Sequence, residues 1–276
     1  MKIALLQIAA GGDKMENLSA IEPRIRDAAA QGATLIVLPE ATSQAFGQGR
    51  LDTQAEELDG PFATGLKKLS DELRVTIVAG MFRLADTNTV DGKQYNRVYN
   101  TALITGGGAH KGYDKIHTYD AFNYKESDTV RPGDKLVTFE HDGVTVGVAT
   151  CFDIRFPEQF QALAQRGAKV VVVPTSWADG PGKVGQWRIL TVARALDAGV
   201  FIAAADQARP DFETKAGEPS GPTGAGHSVV VGPTGQRLAE AGYGPETLVV
   251  EIDPADATEA RKELPLAEIR EHSAIR

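Results

Sequence analysis

Hydrophobic positions along the chain fall into short continuous runs separated by stretches of helical period. Ile3 to Ile8 is one such run, and Leu18, Ile21, Ile25 and the Ala28/Ala29 pair recur at helical spacing between about Met15 and Gln31. ATLIVLPE follows, a second apolar run closed by Pro39 and Glu40. Strand, helix, strand in that order predicts a βαβ unit. A helix is expected from Pro61 to about Arg74, with strands at VTIVAGMF (75–82) and RVYNTALIT (97–105). The intervening DTNTVDGKQ reads as turns, Gly106-Gly107-Gly108 as a turn, and His110 to Lys135 as a loop of little period. Leu136 to His141 and Val144 to Thr150, split by Asp142-Gly143, predict a hairpin.

The second half repeats the pattern. Pro157 opens the amphipathic segment EQFQALAQRGA, with Gly167 at its end, which predicts a helix. AKVVVVPTSW (168–177) and FIAAADQ (201–207) read as strands around a helix over Gly185 to Ala198. Pro210 to Gly226 is a Gly/Pro-rich surface loop, HSVVVGPTGQRLAEA a hairpin, TLVVEID (247–253) a last strand and ADATEARKEL a last helix. Gln31-GATLIVLPE and Arg166-GAKVVVVPT align without a gap, each a helix-ending Gly, an apolar run and a Pro. Two similar halves are therefore expected, packed as two sheets with helices outside. No linker or low-complexity tract divides residues 1–276, so one domain is expected.

Composition narrows the partners. A net charge of −8 with no basic run longer than Lys67-Lys68 argues against nucleic acid and anionic membrane. The apolar N-terminal run is too short for a signal sequence, and no apolar stretch approaches the length of a membrane span. Cys151 is the only cysteine in 276 residues, which excludes an intrachain disulfide and suits a reducing, cytoplasmic setting. One Cys and five scattered His show no zinc-ligand spacing, and neither Gly106-Gly107-Gly108 nor Gly180-Pro181-Gly182-Lys183 completes a phosphate loop, so no metal or nucleotide cofactor is implied.

Candidate chemistry gathers at strand ends, where ligands collect in α/β sheets. Cys151 sits between an apolar strand and the helix opened by Pro157, where the helix dipole favours thiolate, and the polar cluster Asp153, Arg155 and Glu158 lies beside it. Glu40, tied to a buried strand by Pro39, is a candidate base for the thiol. Lys115, inside YDKIHTYD, could stabilise an oxyanion if it reached the thiol, though taken alone such a lysine is usually solvated.

LPE at 38–40, YDKIHTYD at 113–120, ES followed by PG at 126–133, and CFDIRFPE at 151–158 resemble, in order and spacing, the motifs of the nitrilase superfamily, the carbon–nitrogen hydrolases. Similarity extends through PTSWADGPGK, QWRILTVARALD and GHSVVVGPTG, and is nearest to the Nit branch, whose members include ω-amidases and deaminated glutathione amidases. The resemblance implies Glu40 as general base, Lys115 as oxyanion-stabilising residue, Cys151 as nucleophile and Glu126 as a second, positioning glutamate. It also implies an α/β fold, a four-layer αββα sandwich of two mixed sheets flanked by helices, dimerising through helices after the nucleophile. Family members commonly have Tyr where Phe152 stands, and KIHTYD departs from the more usual KIHLFD.

The expected reaction is cleavage of the C–N bond of a small, carboxylate-bearing amide through a thioester, with the Phe152 backbone N–H assisting Lys115. Arg155 would either bind a substrate carboxylate or order the site by pairing with Glu158 or Glu40, and Trp177 would either line the pocket or pack as a core aromatic. A nitrilase or N-carbamoyl hydrolase would use the same three residues. A cysteine–histidine hydrolase is disfavoured, with His117 and His227 read as surface residues, and a non-catalytic dimeric binding protein on the same scaffold is the competitor outside enzymes.

Overall fold

In the computed structural model, which describes residues 1–121 and 124–271, the first half of the chain runs β1 (Lys2–Gln7), α1 (Lys14–Ala30), β2 (Leu35–Val37), α2 (Pro61–Leu73), β3 (Thr76–Val90), β4 (Lys93–Gly106), β5 (Ala109–Asp114), β6 (Asp120–Ala121) and β7 (Tyr124–Lys125). The second runs β8 (Val137–His141), β9 (Val144–Val148), α3 (Pro157–Gln165), β10 (Val170–Thr175), α4 (Lys183–Ala198), β11 (Phe201–Asp206), α5 (Phe212–Lys215), β12 (Val229–Val231), β13 (Arg237–Glu240), β14 (Glu246–Glu251), α6 (Ala255–Glu263) and α7 (Leu266–Glu271).

Two six-stranded sheets carry the architecture, in the orders β14-β1-β2-β3-β4-β5 and β8-β9-β10-β11-β12-β13. In the first, β1, β2 and β3 are parallel neighbours, with antiparallel strands on either side. In the second, β9, β10 and β11 are parallel and likewise flanked. The two sheets match strand for strand, and α1 and α2 correspond to α3 and α4. The repeated phrase in the sequence thus places β2 and β10 at the same position of two similar halves.

Alternation along each strand decides which layer a side chain joins. Ile3, Leu5, Leu35, Val37 and Val78 of one sheet share a core with Val146, Val148, Val170, Val172 and Phe201 of the other. Their neighbours Ala4, Leu6, Ile36 and Leu38 pack instead against Ile21 and Ile25 of α1 and Phe62 and Leu66 of α2. Val171, Val173 and Ile202 meet Phe160 and Leu163 of α3 and Trp187 of α4. The layers are therefore α, β, β, α. Burial on both faces is why these strands read as continuous apolar runs, and each fully buried Val, Leu or Ile contributes about 1.5–3 kcal/mol.

Two expectations are corrected. DTNTVDGKQ is not a string of turns: β3 and β4 run out past the sheet as a long hairpin, reversing at Asp91 and Gly92, whose φ values are 49° and 75°. Its outer residues are largely exposed or half-buried, so no core imprints an apolar pattern on them. Nor is His110 to Lys135 a loop throughout, since β5 pairs antiparallel with β4 and its residues form one edge of the sheet. Among the described residues no helix is long and apolar enough to cross a membrane.

Candidate active site

Three strand ends converge. Beyond β2 the chain continues as Leu38-Pro39-Glu40, held to β3 by Leu38 N–H to Val78 O (2.8 Å) and Gly80 N–H to Pro39 O (2.9 Å). Gly80 is required for this approach: a Cβ there would lie 2.5 Å from the Ala41 nitrogen. Cys151 opens a 3₁₀ turn, Cys151–Arg155, with φ of 45°, a left-handed conformation costly for a side-chain-bearing residue. The Asp153 carboxylate accepts the Thr150 N–H at 2.8 Å, and the Thr150 carbonyl accepts the Asp153 N–H at 3.0 Å, which closes that turn. Lys115 directly follows β5, its N–H bonded to Asn100 O at 2.9 Å and its carbonyl accepting from Gly133 N–H at 2.8 Å.

Glu40, Lys115, Glu126 and Cys151 are all buried. Lys115 Nζ donates to Glu40 Oε1 at 3.0 Å and to Glu126 Oε2 at 2.9 Å, so one ammonium is clamped by two carboxylates. Glu40 also accepts from Asn100 Nδ2 at 2.7 Å and from the Ser176 N–H at 2.9 Å. Glu126 accepts from Tyr119 N–H at 2.6 Å. The Cys151 thiol donates to the Ser176 carbonyl oxygen at 3.7 Å and lines the same cavity as the Glu40 carboxylate. Ser176 follows β10, the counterpart of β2. The ends of the two repeated strands therefore meet across the sandwich, and the site lies where they meet.

Burial raises the Glu40 carboxyl above its ordinary range, against the opposing pull of Lys115. For Lys115 burial disfavours the ammonium, but the carboxylates of Glu126 and Glu40 outweigh it and raise its pKa well above that of a free lysine. Burial and then the Glu40 charge push the Cys151 thiol well above its usual value. The expected dipole-favoured thiolate is thus overturned. A 3₁₀ turn separates Cys151 from α3, and a desolvated thiol beside a carboxylate keeps its proton.

Around these groups is a narrow cavity of about 20 Å³, bordered by Phe46, Tyr119, Tyr124, Phe152, Trp177 and Pro222, with Arg155 and Lys183 also contributing. Trp177 both lines it and packs on Trp187, ring centroids 5.2 Å apart. Arg155 pairs with neither Glu40 nor Glu158 among the described residues. Its guanidinium lies over the rings of Trp177 (5.1 Å) and Phe152 (5.7 Å), and Nη2 donates to Gln186 at 2.9 Å.

Several participants carry no local signal in the sequence. Asn100 is a polar residue inside an apolar strand, a faint clue, and it reaches both glutamates. Ser176 acts through its main chain, which leaves no trace in residue type. Asp153, fully buried, accepts from Thr150 N–H, Tyr113 OH, His117 N–H and the His117 ring, tying the Lys115 segment to the Cys151 turn. The expectation of surface histidines fails on both counts. His117 is half-buried and bonded to Asp153, and His227 is buried and bonded to Glu240.

The carbon-nitrogen hydrolase family model matches residues 2–262. The chain belongs to the carbon–nitrogen hydrolase family. A protein described as a hydrolase from Mycobacterium tuberculosis is 45% identical over 269 residues, covering 95% of this chain and 92% of that protein. Omega-amidase NIT2 of Mus musculus is 31% identical over 274 residues, covering 96% and 93%. Among solved structures, a mutant of the amidase from Nesterenkonia sp. AN1 superposes with a TM-score of 0.72 at 27% identity, covering 99% of this chain and 96% of that one. That structure is described as showing the acetamide moiety of fluoroacetamide added covalently at the active-site cysteine. Within the carbon–nitrogen hydrolases this chain is thus similar to the Nit, omega-amidase-like branch.

Proposed function

We propose that this carbon–nitrogen hydrolase is a cysteine-dependent amidase that releases ammonia from a carboxylate-bearing primary amide. The observation that carries the reading is the single buried ammonium of Lys115 held by Glu40 and Glu126 beside the only thiol in the chain. Cys151 is the only cysteine in the chain, and covalent modification of the active-site cysteine in a similar amidase supports its reading as the nucleophile.

In the proposed cycle Cys151 Sγ attacks the amide carbon while Glu40 takes the thiol proton, which the resting site holds on sulfur. Negative charge that develops on the carbonyl oxygen is met by Lys115 Nζ and the Phe152 N–H. Glu40 returns the proton to the departing nitrogen, ammonia leaves, and a thioester remains on Cys151. Water attacks the thioester as Glu40 accepts its proton, the C–S bond breaks, the thiol is reprotonated and the acid is released. Glu126 never meets the substrate in this scheme; it holds Lys115 between two charges so that the ammonium does not drift when Glu40 is neutralised. The guanidinium of Arg155, braced by Gln186 and two rings, supports recognition of a substrate carboxylate.

The same reading takes the chain as one domain in a cytoplasmic, homodimeric enzyme; the core shared by both sheets and the family match over residues 2–262 support the first. Ammonia release from a panel of ω-amido acids, simple amides, nitriles and N-carbamoyl compounds tests the activity. Turnover of ω-amido acids by the wild type and none by Cys151→Ala is expected; ammonia release that survives in Cys151→Ala ends the proposal.

A further inference from the structure

β11 ends at Asp206, and Gln207 follows it; both side chains are buried, and the cycle above uses neither. Ala203 and Ala205 of this strand face the core between the sheets, whereas Ile202 and Ala204 face the helix layer. Continued alternation sends Gln207 inward, toward the other sheet, and Asp206 to the opposite face.

Gln207 reaches the catalytic base. Its Nε2 donates to Glu40 O at 3.0 Å and to Ala41 O at 3.4 Å, and its Oε1 accepts the Ala10 N–H at 3.1 Å. Ala41 has a φ of 58°, a left-handed conformation that persists only where the surroundings hold it. The Gln207 amide thus fixes the chain reversal immediately after Glu40.

Asp206 reaches the end of the neighbouring strand β10. Its Oδ1 accepts the Trp177 N–H at 2.8 Å and its Oδ2 the Ala225 N–H at 3.2 Å. The Trp177 N–H belongs to the same planar peptide group as the Ser176 carbonyl, which accepts the Cys151 thiol, and the Ser176 N–H on the other side of that residue holds Glu40. One amide therefore separates a buried carboxylate from the nucleophile. Burial raises the Asp206 carboxyl well above its ordinary range, against the pull of the Trp177 and Ala225 N–H groups. A carboxylate stripped of water and met by neutral amides is costly, a cost that a simple core residue would avoid.

Resting on the amidase reading above, we infer that Asp206 and Gln207 are positioning residues for the two reacting groups: Gln207 fixes the main chain of Glu40, and Asp206 fixes the Ser176–Trp177 peptide that holds Cys151 and Glu40 in register. Each acts through main chain, and neither touches the substrate.

The test follows ammonia release from succinamate by the full chain, at a temperature well below the Tm of every variant so that the folded fraction is the same in all. Gln207→Met keeps the length and neutrality of the side chain and removes its donor. Its kcat is expected to fall about tenfold or more with KM within about twofold of the wild type. The acidic limb of kcat/KM is expected to move to higher pH, because a displaced Glu40 loses part of its hold on the Lys115, Asn100 and Ser176 donors that favour its ionised form. Lys115, Glu126, Cys151 and Asp206, the titratable groups around Glu40, are all retained in this variant, so the limb reports position. Asp206→Asn keeps the shape but sets an NH2 group against one of the two main-chain N–H groups, and a similar loss of kcat with little change in KM is expected. A purely structural role would lower Tm and leave kcat and the acidic limb as in the wild type. That result removes the residue concerned from the inference, and in both variants it overturns the inference while the amidase reading stands; should Asp206→Asn fail to fold, Gln207→Met decides alone. No ammonia from the wild type overturns the amidase reading and this inference with it.

Discussion

At Glu40 and Cys151 the proton sits on the weaker acid of the pair because both groups are stripped of water and the carboxylate is compensated by Lys115. The nucleophile is therefore made during the attack rather than stored, which gives Glu40 a task that a preformed thiolate would not need. Two predictions belong here. Activity requires Glu40 ionised, so the acidic limb of kcat/KM should lie above the ordinary glutamate value of 4.5; a limb at or below it would contradict the assigned base. Glu40 carries a folded-state pKa above its unfolded one. The stability it lends is present below the ordinary value and is lost as pH rises through the raised one. Glu40→Gln should accordingly cost about 10²–10⁴ in kcat, the usual worth of a general base, with no fall in Tm at neutral pH, as read by calorimetry beside the rate assay.

Among the elements, the turns do the aiming. Gly80 on β3 lets the end of β2 come close enough to fix the Glu40 main chain, and an added methyl would meet backbone atoms of Glu40 and Ala41 at 2.5–2.7 Å. Gly80→Ala is expected to lower kcat by about tenfold or more by displacing Glu40, since small misplacements of a reacting group are costly, and to lower Tm as well; unchanged kinetics would show that the close approach is not needed. Tyr113 does comparable work for the nucleophile turn, its hydroxyl donating to Asp153 at 2.6 Å and accepting from Gln159 at 2.8 Å. Tyr113→Phe removes a buried bond to a carboxylate and should cost about 1.5–3 kcal/mol in urea denaturation. At this scale sequence pattern was most informative where a core imposed it, although the largely exposed α6 was legible too. The buried strands and α1 to α4 were legible, whereas the outer β3–β4 hairpin and the edge strand β5 were not, because strands that face water carry a weaker apolar pattern.

For the whole molecule, the doubled architecture explains the position of the site. Equivalent strand ends of the two sheets face each other, so Ser176 from one half can hold Glu40 from the other although 136 positions separate them. An exposed apolar face on α4, with Ile189 69% and Leu196 44% accessible, supports the proposed homodimer. Ile189→Glu should shift sedimentation velocity from dimer to monomer, and a monomeric wild type would remove that part of the proposal.

The amino-acid sequence alone determined the buried strands, the repetition of one half in the other, the uniqueness of Cys151 and the motifs that name the family, because burial and chain reversal leave local patterns of residue type. Only the tertiary structure decided that Lys115 is buried between Glu40 and Glu126, that Asn100 and the Ser176 main chain complete the carboxylate's partners, and that the resting thiol keeps its proton. Those facts depend on distances between groups far apart in the chain and on the exclusion of water around them, neither of which any local stretch of residues encodes.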